Sequence, residues 1–163
     1  MAVTPTYVPL GTITLASGVT SATFSSIPAG YRDLIIVVNG GRTTGTAAVE
    51  VRFNSDTGAN YSWLSMFGNG SSTGSNTQGA FNTFIPMAWN ANITTSFDYM
   101  GIAQVMDYSA TDKHKTMLVR NGRASGATEA IAGRWANTAA INTIQIIVGT
   151  AIAGTTISIY GVN

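Results

Sequence analysis

The sequence predicts an all-β protein, an antiparallel β-sandwich of jelly-roll type with about ten short strands. Thr, Ser, Asn and Gly together make up about 41% of the 163 residues, and these residue types occupy strands, turns and loops but are poor in helix interiors. Only 9% of the residues are charged, against about 25% in typical soluble proteins. Short alternating or β-branched runs recur along the chain and end at Gly, Pro, Asn or Asp, which is the pattern of strands joined by turns.

The clearest strand is predicted over residues 47–54, where apolar residues alternate with Glu50 and Arg52. One face of this strand should lie in the core and the other in water. Residues 33–39 form a nearly continuous apolar run, which favours a central strand. The other predicted strands are residues 12–15, 22–27, 61–67, 81–88, 101–107, 115–120, 141–148 and 155–162.

Two segments give weaker patterns. Residues 129–140 are assigned to a strand and a turn, because Gly133 and the flanking turn residues disfavour a long helix. Residues 68–79 contain no large apolar residue and predict one exposed loop. We expect a single domain over residues 11–163, preceded by an extended N-terminal arm over residues 1–10, where Pro5 and Pro9 favour an extended chain.

The charge pattern excludes several classes of protein. Eight Lys and Arg residues are offset by seven Asp and Glu residues, without a run of either sign, so nucleic-acid binding is not expected. The absence of cysteine rules out disulfides and thiolate metal sites. The N-terminus does not resemble a signal peptide, so synthesis in a cytoplasm is expected. The most apolar segment, residues 139–154, is too short and too polar for a membrane helix.

No arrangement of residues predicts catalysis, a metal site or a cofactor. His114 is the only histidine and is flanked by two lysines, so we expect an exposed residue at the start of a strand. The seven acids offer no obvious catalytic pair. Residues 54–60 carry several oxygen ligands but lack the spacing of an EF-hand loop, which favours a hydrogen-bonded turn over a calcium site. The glycine patterns lack the spacing or the lysine of nucleotide-binding loops. An enzyme is therefore not expected.

Tryptophan side chains provide one alternative. Trp63 and Trp89 could stack on a sugar, with Asn69 in the neighbouring loop as a polar contact. Each Trp also lies in or beside a predicted strand, so packing in the core or against another subunit is the competing interpretation.

Five segments, in order, resemble a family of domains found in bacteriophage virion proteins, both as free-standing minor structural proteins and as modules of tail or fibre proteins. The resemblance covers nearly the whole chain from about Leu10. The segments are FSSIPAGYRDL (24–34), RFNSDTGANYSW (52–63), KHKTMLVR (113–120), RWANTAAINTI (134–144) and GTTISIYGV (154–162).

This resemblance implies a β-sandwich subunit of the virion, made in the host cytoplasm, that forms a homo-oligomer, most specifically a trimer. Because the whole chain is the domain and no fibre shaft surrounds it, we expect a capsid decoration or cement protein bound to the major capsid protein on the outside of the head. The N-terminal arm, with Val3, Pro5, Tyr7 and Pro9, is the expected capsid contact. The alternative is a tail or fibre-associated module that binds a host carbohydrate through Trp63, Trp89 and Asn69.

Overall fold

The computed structural model describes residues 5–163, apart from the side chain of Ala80. Over these residues the chain forms twelve strands and no helix, which confirms the predicted all-β class. None of the described residues belongs to a helix that could span a membrane. The strands are β1 (Tyr7–Leu15), β2 (Ser21–Phe24), β3 (Asp33–Gly40), β4 (Ala47–Phe53), β5 (Tyr61–Gly68), β6 (Thr73–Asn82), β7 (Ile85–Ile93), β8 (Tyr99–Met106), β9 (Lys115–Arg123), β10 (Thr128–Trp135), β11 (Ile144–Ile147) and β12 (Thr155–Val162).

The strands form two antiparallel sheets that pack face to face. The large sheet has eight strands in the order β1-β12-β3-β8-β9-β10-β5-β6, and the small sheet has four in the order β2-β11-β4-β7. The predicted β-sandwich is therefore confirmed. A jelly roll has eight strands divided between two sheets, whereas this sandwich has twelve strands. Because eight of them are in one sheet and four in the other, part of the large sheet extends beyond the small sheet.

The core lies between the sheets and follows the predicted alternation. Val49, Val51 and Phe53 of β4 are fully buried, while Glu50 and Arg52 between them are half-buried. In β3 the inward residues are buried, and the intervening Ile35 and Val37 point to the other face of the large sheet and are half-buried. The continuous apolar run of β3 thus supplies two faces, only one of which faces the small sheet.

The predicted loop over residues 68–79 is wrong for most of its length, because residues 73–79 belong to β6. This strand pairs with β5, with Leu64 opposite Thr77 and Met66 opposite Ser75. It buries almost no side chain, so its sequence carries no hydrophobic alternation. The strand predicted within residues 129–140 is confirmed: β10 ends at Trp135, and an irregular segment with a bend at residue 139 follows.

The N-terminal boundary also differs from the prediction. The large sheet begins at Tyr7, so residues 7–10, which were assigned to the arm, lie in β1 and pair with β12. Pro9 is compatible with this strand because β1 is an edge strand, where a missing N–H costs no ladder hydrogen bond. Pro5 is exposed, and Val3 lies outside the described residues.

Candidate functional site

The outer face of the large sheet, on the side away from the small sheet, carries a groove of about 750 Å³. Two neighbouring rows of side chains on this face each cross six strands, and all of their residues except Ser158 line the groove. The first row is Tyr160, Ile35, Gln104, Leu118, Ala132 and Leu64, and the second is Ser158, Val37, Ile102, Arg120, Ala130 and Met66. We call this surface the groove face.

The groove face is apolar at its centre and polar at its margin. Leu64, Met66 and Leu118 are 50%, 63% and 49% exposed, which is unusual for three large apolar side chains on one surface. Among the described residues that line the groove, Arg120 is the one charged side chain. The row on one flank is polar, with Thr116, Arg134 and Ser62 in register. This distribution is typical of a protein–protein interface.

Tyr7 lies at one end of the groove, and Gln104 is one of its polar residues. Tyr7 of β1 lines one end and is 57% exposed. The side-chain amide of Gln104 donates to Asp33 Oδ2 at 2.9 Å, which fixes the position of Gln104 in the groove. Burial acts to raise the pKa of Asp33, but hydrogen bonds from Asp107 N–H, Gln104 and Arg32 lower it overall. Asp33 therefore stays ionised and keeps Gln104 in place.

The two tryptophans considered for sugar stacking face the inside of the sandwich. Trp63 is 4% exposed, and its ring lies 4.9 Å from that of Trp89 at an angle of 53°. Trp89 is half-buried and also packs against Phe84. The pair therefore covers the margin of the core where the large sheet extends beyond the small one, instead of forming an open platform.

Asn69 lies in the turn between β5 and β6, six residues or about 20 Å along the strand from Trp63. Its side-chain oxygen accepts hydrogen bonds from the N–H groups of Ser71 and Ser72, at 3.0 and 2.7 Å. These bonds close the turn. The structure does not bring Asn69 together with the two tryptophans.

Glu129 of β10 is a buried carboxylate, 4% exposed, that holds an irregular part of β7. Its Oε2 accepts the N–H groups of Trp89 and Asn90 at 3.0 and 3.1 Å, and its Oε1 accepts the Asn90 amide at 2.8 Å. Oε2 also accepts from the N–H of Ala91 and from the side-chain amide of Asn121 of β9, both at 3.4 Å, so most of the hydrogen bonds of the carboxylate are made with β7. Glu129 has the geometry of a structural anchor.

The Asp56 turn, in the segment considered for calcium, is closed by hydrogen bonds. Asp56 accepts from Gly58 N–H and the Asn60 amide, both at 2.8 Å, and from Trp135 Nε1 at 2.7 Å. Burial acts to raise the pKa of Asp56, but these hydrogen bonds lower it overall. In residues 5–163, three or more His, Cys, Asp or Glu side chains do not come together in a geometry that could hold a metal ion.

The basic cluster around His114 is divided between solvent and core. His114 is exposed and lies one residue before β9, as predicted. Lys115 is buried and its ammonium group donates to the carbonyl oxygens of Lys113 and Thr138, at 2.9 and 3.1 Å. Burial lowers the pKa of Lys115. Both bonds tie neighbouring loops to the sheet.

Sequence reasoning did not identify the groove face. Its apolar residues come from six strands, and each strand contributes only one or two of them. One local feature of the sequence could have indicated it. In β3 and β5, apolar residues occupy both odd- and even-numbered positions, for example Trp63 and Leu64. Such strands are apolar on two faces, although this sandwich covers one.

Comparisons with known proteins give the following results. No protein-family model matches the chain, and no curated protein matches it in sequence. A human SPRY domain superposes with a TM-score of 0.37 and 7% identity, over 96% of this chain and 95% of the other. A CBM40 domain of the Ruminococcus gnavus IT-sialidase gives 0.35 and 10%, over 94% and 91%.

The tripod from the baseplate of bacteriophage Tuc2009 gives a TM-score of 0.22 and 11% identity, over 94% of this chain and 63% of that one. At these scores and identities, no function is carried over from any of the three proteins. The candidate site thus rests on the geometry of the groove face.

Proposed function

We propose that this chain is a non-enzymatic structural subunit of a bacteriophage particle that binds a protein partner through its groove face. The most specific form of the proposal is a decoration protein bound to the major capsid protein on the outside of the head. The groove face is the observation that carries the proposal. The five segments that resemble virion proteins support its assignment to a phage particle.

The chemistry of the groove favours a protein partner over a carbohydrate. A sugar exposes many hydroxyl groups that need hydrogen-bonding partners, whereas the two rows offer mainly Gln104, Arg120, Ser158 and the hydroxyl of Tyr160. Exposed Met and Leu side chains instead gain free energy when another apolar surface removes them from water, at about 25 cal/mol per Å². Arg120 is suited to the centre of such an interface, where Arg is common.

Two residues of the predicted capsid contact, Tyr7 and Pro9, are adjacent to this surface. Tyr7 follows directly on residues 1–6 of the chain and lines the groove, and Pro9 lies opposite Tyr160 of the first row. Tyr7 and Pro9, two of the four predicted capsid contacts, therefore lie next to the groove face. A partner that covers the groove would also contact Tyr7.

The proposal is tested by placing charge in the groove. The double variant Met66→Lys/Leu118→Lys changes two side chains that are about half exposed or more, so it should fold normally. Val19→Lys is the matched control, because Val19 is also an exposed apolar residue but does not line the groove. Binding is measured by co-sedimentation with phage particles assembled without this protein.

We expect the double variant to bind these particles at least about thirtyfold more weakly than the wild type, which corresponds to about 2 kcal/mol for a central interface residue. Val19→Lys should bind like the wild type. Undiminished binding of the double variant would exclude the groove face. Binding of the wild type to host cells in competition with phage adsorption, without binding to capsids, would replace the proposal with a receptor-binding role.

A further inference from the structure

Strand β6 is one of the two edge strands of the large sheet and extends beyond the small sheet. It pairs with β5 on one side. The nearest strand of the small sheet, β7, packs on β10, β9, β5 and β8. Thr73, Ser75, Thr77 and Gln78 are all exposed. On the inner face Asn76 is half-buried and its side-chain amide donates to Asn90 Oδ1 of β7 at 3.2 Å. A strand with so few buried side chains and one free edge gains little from the core of its own chain.

Over residues 73–78, the free edge of β6 lacks the devices by which proteins prevent edge-to-edge pairing. These devices are charged side chains, proline, bulges and short length. β1 has Pro9 and a register shift, β2 is four residues long, and β7 has Pro86 and two register shifts. β6 is ten residues long, and its sequence TGSNTQGAFN contains neither a charge nor a proline. Its one register shift lies at its C-terminal end, after Gln78, and leaves residues 73–78 regularly paired with β5. Of the four sheet edges, β6 is the one suited to accept another strand.

The hydrogen-bond pattern shows which backbone groups are available on this edge. Asn69 N–H donates to the Ser72 carbonyl at 3.1 Å, so residues 69 and 72 form a hydrogen-bonded pair. Because such pairs alternate along an antiparallel ladder, the backbone groups of Gly74, Asn76 and Gln78 point toward β5. Those of Ser75 and Thr77 point toward the open edge.

We propose that β6 pairs antiparallel with β6 of a second copy of this chain, around a two-fold axis. An uncharged strand can pair with itself without like-charge repulsion, and a two-fold axis places two identical strands antiparallel. The two large sheets would then form one sheet of sixteen strands. On the outer face Ser75 and Thr77 are the neighbours of Met66 and Leu64, so the two groove faces become continuous across the axis.

The proposed β6–β6 pairing gives a closed dimer, whereas the resemblance to virion proteins implies a trimer. It is independent of the proposed capsid partner, since it uses the edge of the sheet and not the groove face. The oligomeric mass therefore tests it without any phage component.

The first experiment is light scattering on the full chain at about 100 µM. The wild type should have twice the 16.9 kDa chain mass. Ser75→Lys/Thr77→Lys should be a folded monomer with an unchanged circular dichroism spectrum, because two lysines on each strand repel their counterparts. Thr12→Lys/Thr14→Lys is the matched control, with the same spacing on the exposed edge strand β1, and should remain a dimer. A wild-type monomer or trimer, or a dimer that persists in the β6 variant, overturns the proposal.

A second experiment does not depend on the fold of the lysine variant. The chain has no cysteine, so a single introduced cysteine can form a disulfide only between copies. Under mild oxidation Ser75→Cys or Thr77→Cys should cross-link at least about tenfold faster than Thr14→Cys on β1. Equal rates at all three positions would exclude β6 as the interface.

Discussion

At the scale of single residues, Glu129 compensates for an interruption in the small sheet. Ala47 of β4 pairs with Ile93 of β7, but Val49 pairs with Ala88, so residues 89–92 leave the ladder with β4. The Glu129 carboxylate from the large sheet accepts two of the N–H groups that this interruption releases. A buried N–H without an acceptor costs about 1–3 kcal/mol. The carboxylate therefore connects the two sheets at this point.

We predict that Glu129→Ala lowers the free energy of unfolding by about 3 kcal/mol, because it leaves buried donors without an acceptor. Glu50→Ala is the matched control: Glu50 is half-buried and forms an ion pair of 3.2 Å with Arg52, and such pairs contribute about 0–1 kcal/mol. Urea unfolding followed by tryptophan fluorescence measures both values. Similar losses for the two variants would contradict the anchoring role of Glu129.

At the scale of strands, β7 and β10 pack against each other at a glycine. A Cβ atom added to Gly133 of β10 would lie 2.3 Å from Ile85 Cγ2 of β7. The missing side chain thus allows Ile85, which is fully buried, to fill the space over β10. Gly133 was used in the sequence analysis as an argument against a helix, but its role is to set the distance between the sheets.

Gly133→Ala should lower the free energy of unfolding by about 1–3 kcal/mol through overpacking. Gly30→Ala should leave it unchanged or raise it by less than about 1 kcal/mol, because a Cβ there meets no atom within 4 Å and restricts the unfolded chain. Thermal unfolding of the two variants under identical conditions provides the comparison. A Gly133→Ala variant as stable as the wild type would show that Ile85 can move away.

The strands illustrate what hydrophobic periodicity can predict. β4 was predicted to within a residue because its apolar side chains alternate across one buried face. Most of β6 was predicted as a loop, although residues 73–78 are continuously paired with β5. Periodicity reports the burial of side chains, whereas a strand is defined by its backbone hydrogen bonds. A strand without a buried face therefore has no signature in the sequence.

At the scale of the whole molecule, the few charges determine how stability depends on pH. The lowered pKa of Asp56 means that its ionised form stabilises the folded state. This contribution is complete above the ordinary value of 3.8 and is lost as the pH falls through the lower folded-state pKa. The pKa of Asp33 is also lowered, so its ionised form stabilises the folded state as well. Glu50 has the opposite effect on stability. Burial raises its pKa in spite of the nearby Arg52, so its ionised form destabilises the folded state.

Asp56→Asn should therefore cost more stability at about pH 7 than at about pH 3, since at low pH the wild type loses the same charge. Urea unfolding of both proteins at the two pH values measures this difference. If the loss of stability in Asp56→Asn does not depend on pH, the shape of the Asp56 side chain and not its charge accounts for its role.

The sequence alone determined the all-β class, the sandwich, and most strands that bury one face, because composition and alternation are local properties of the chain. It also identified the hydrogen-bonded turn at residues 54–60. Only the tertiary structure decided that Trp63 and Trp89 face the core, that Glu129 anchors β7, and that β6 is a strand. The groove face likewise exists only in the folded sheet, because its two rows are assembled from six strands whose register is fixed by long-range pairing. Which residues become neighbours across a sheet depends on strand order, and strand order is not encoded in any single segment.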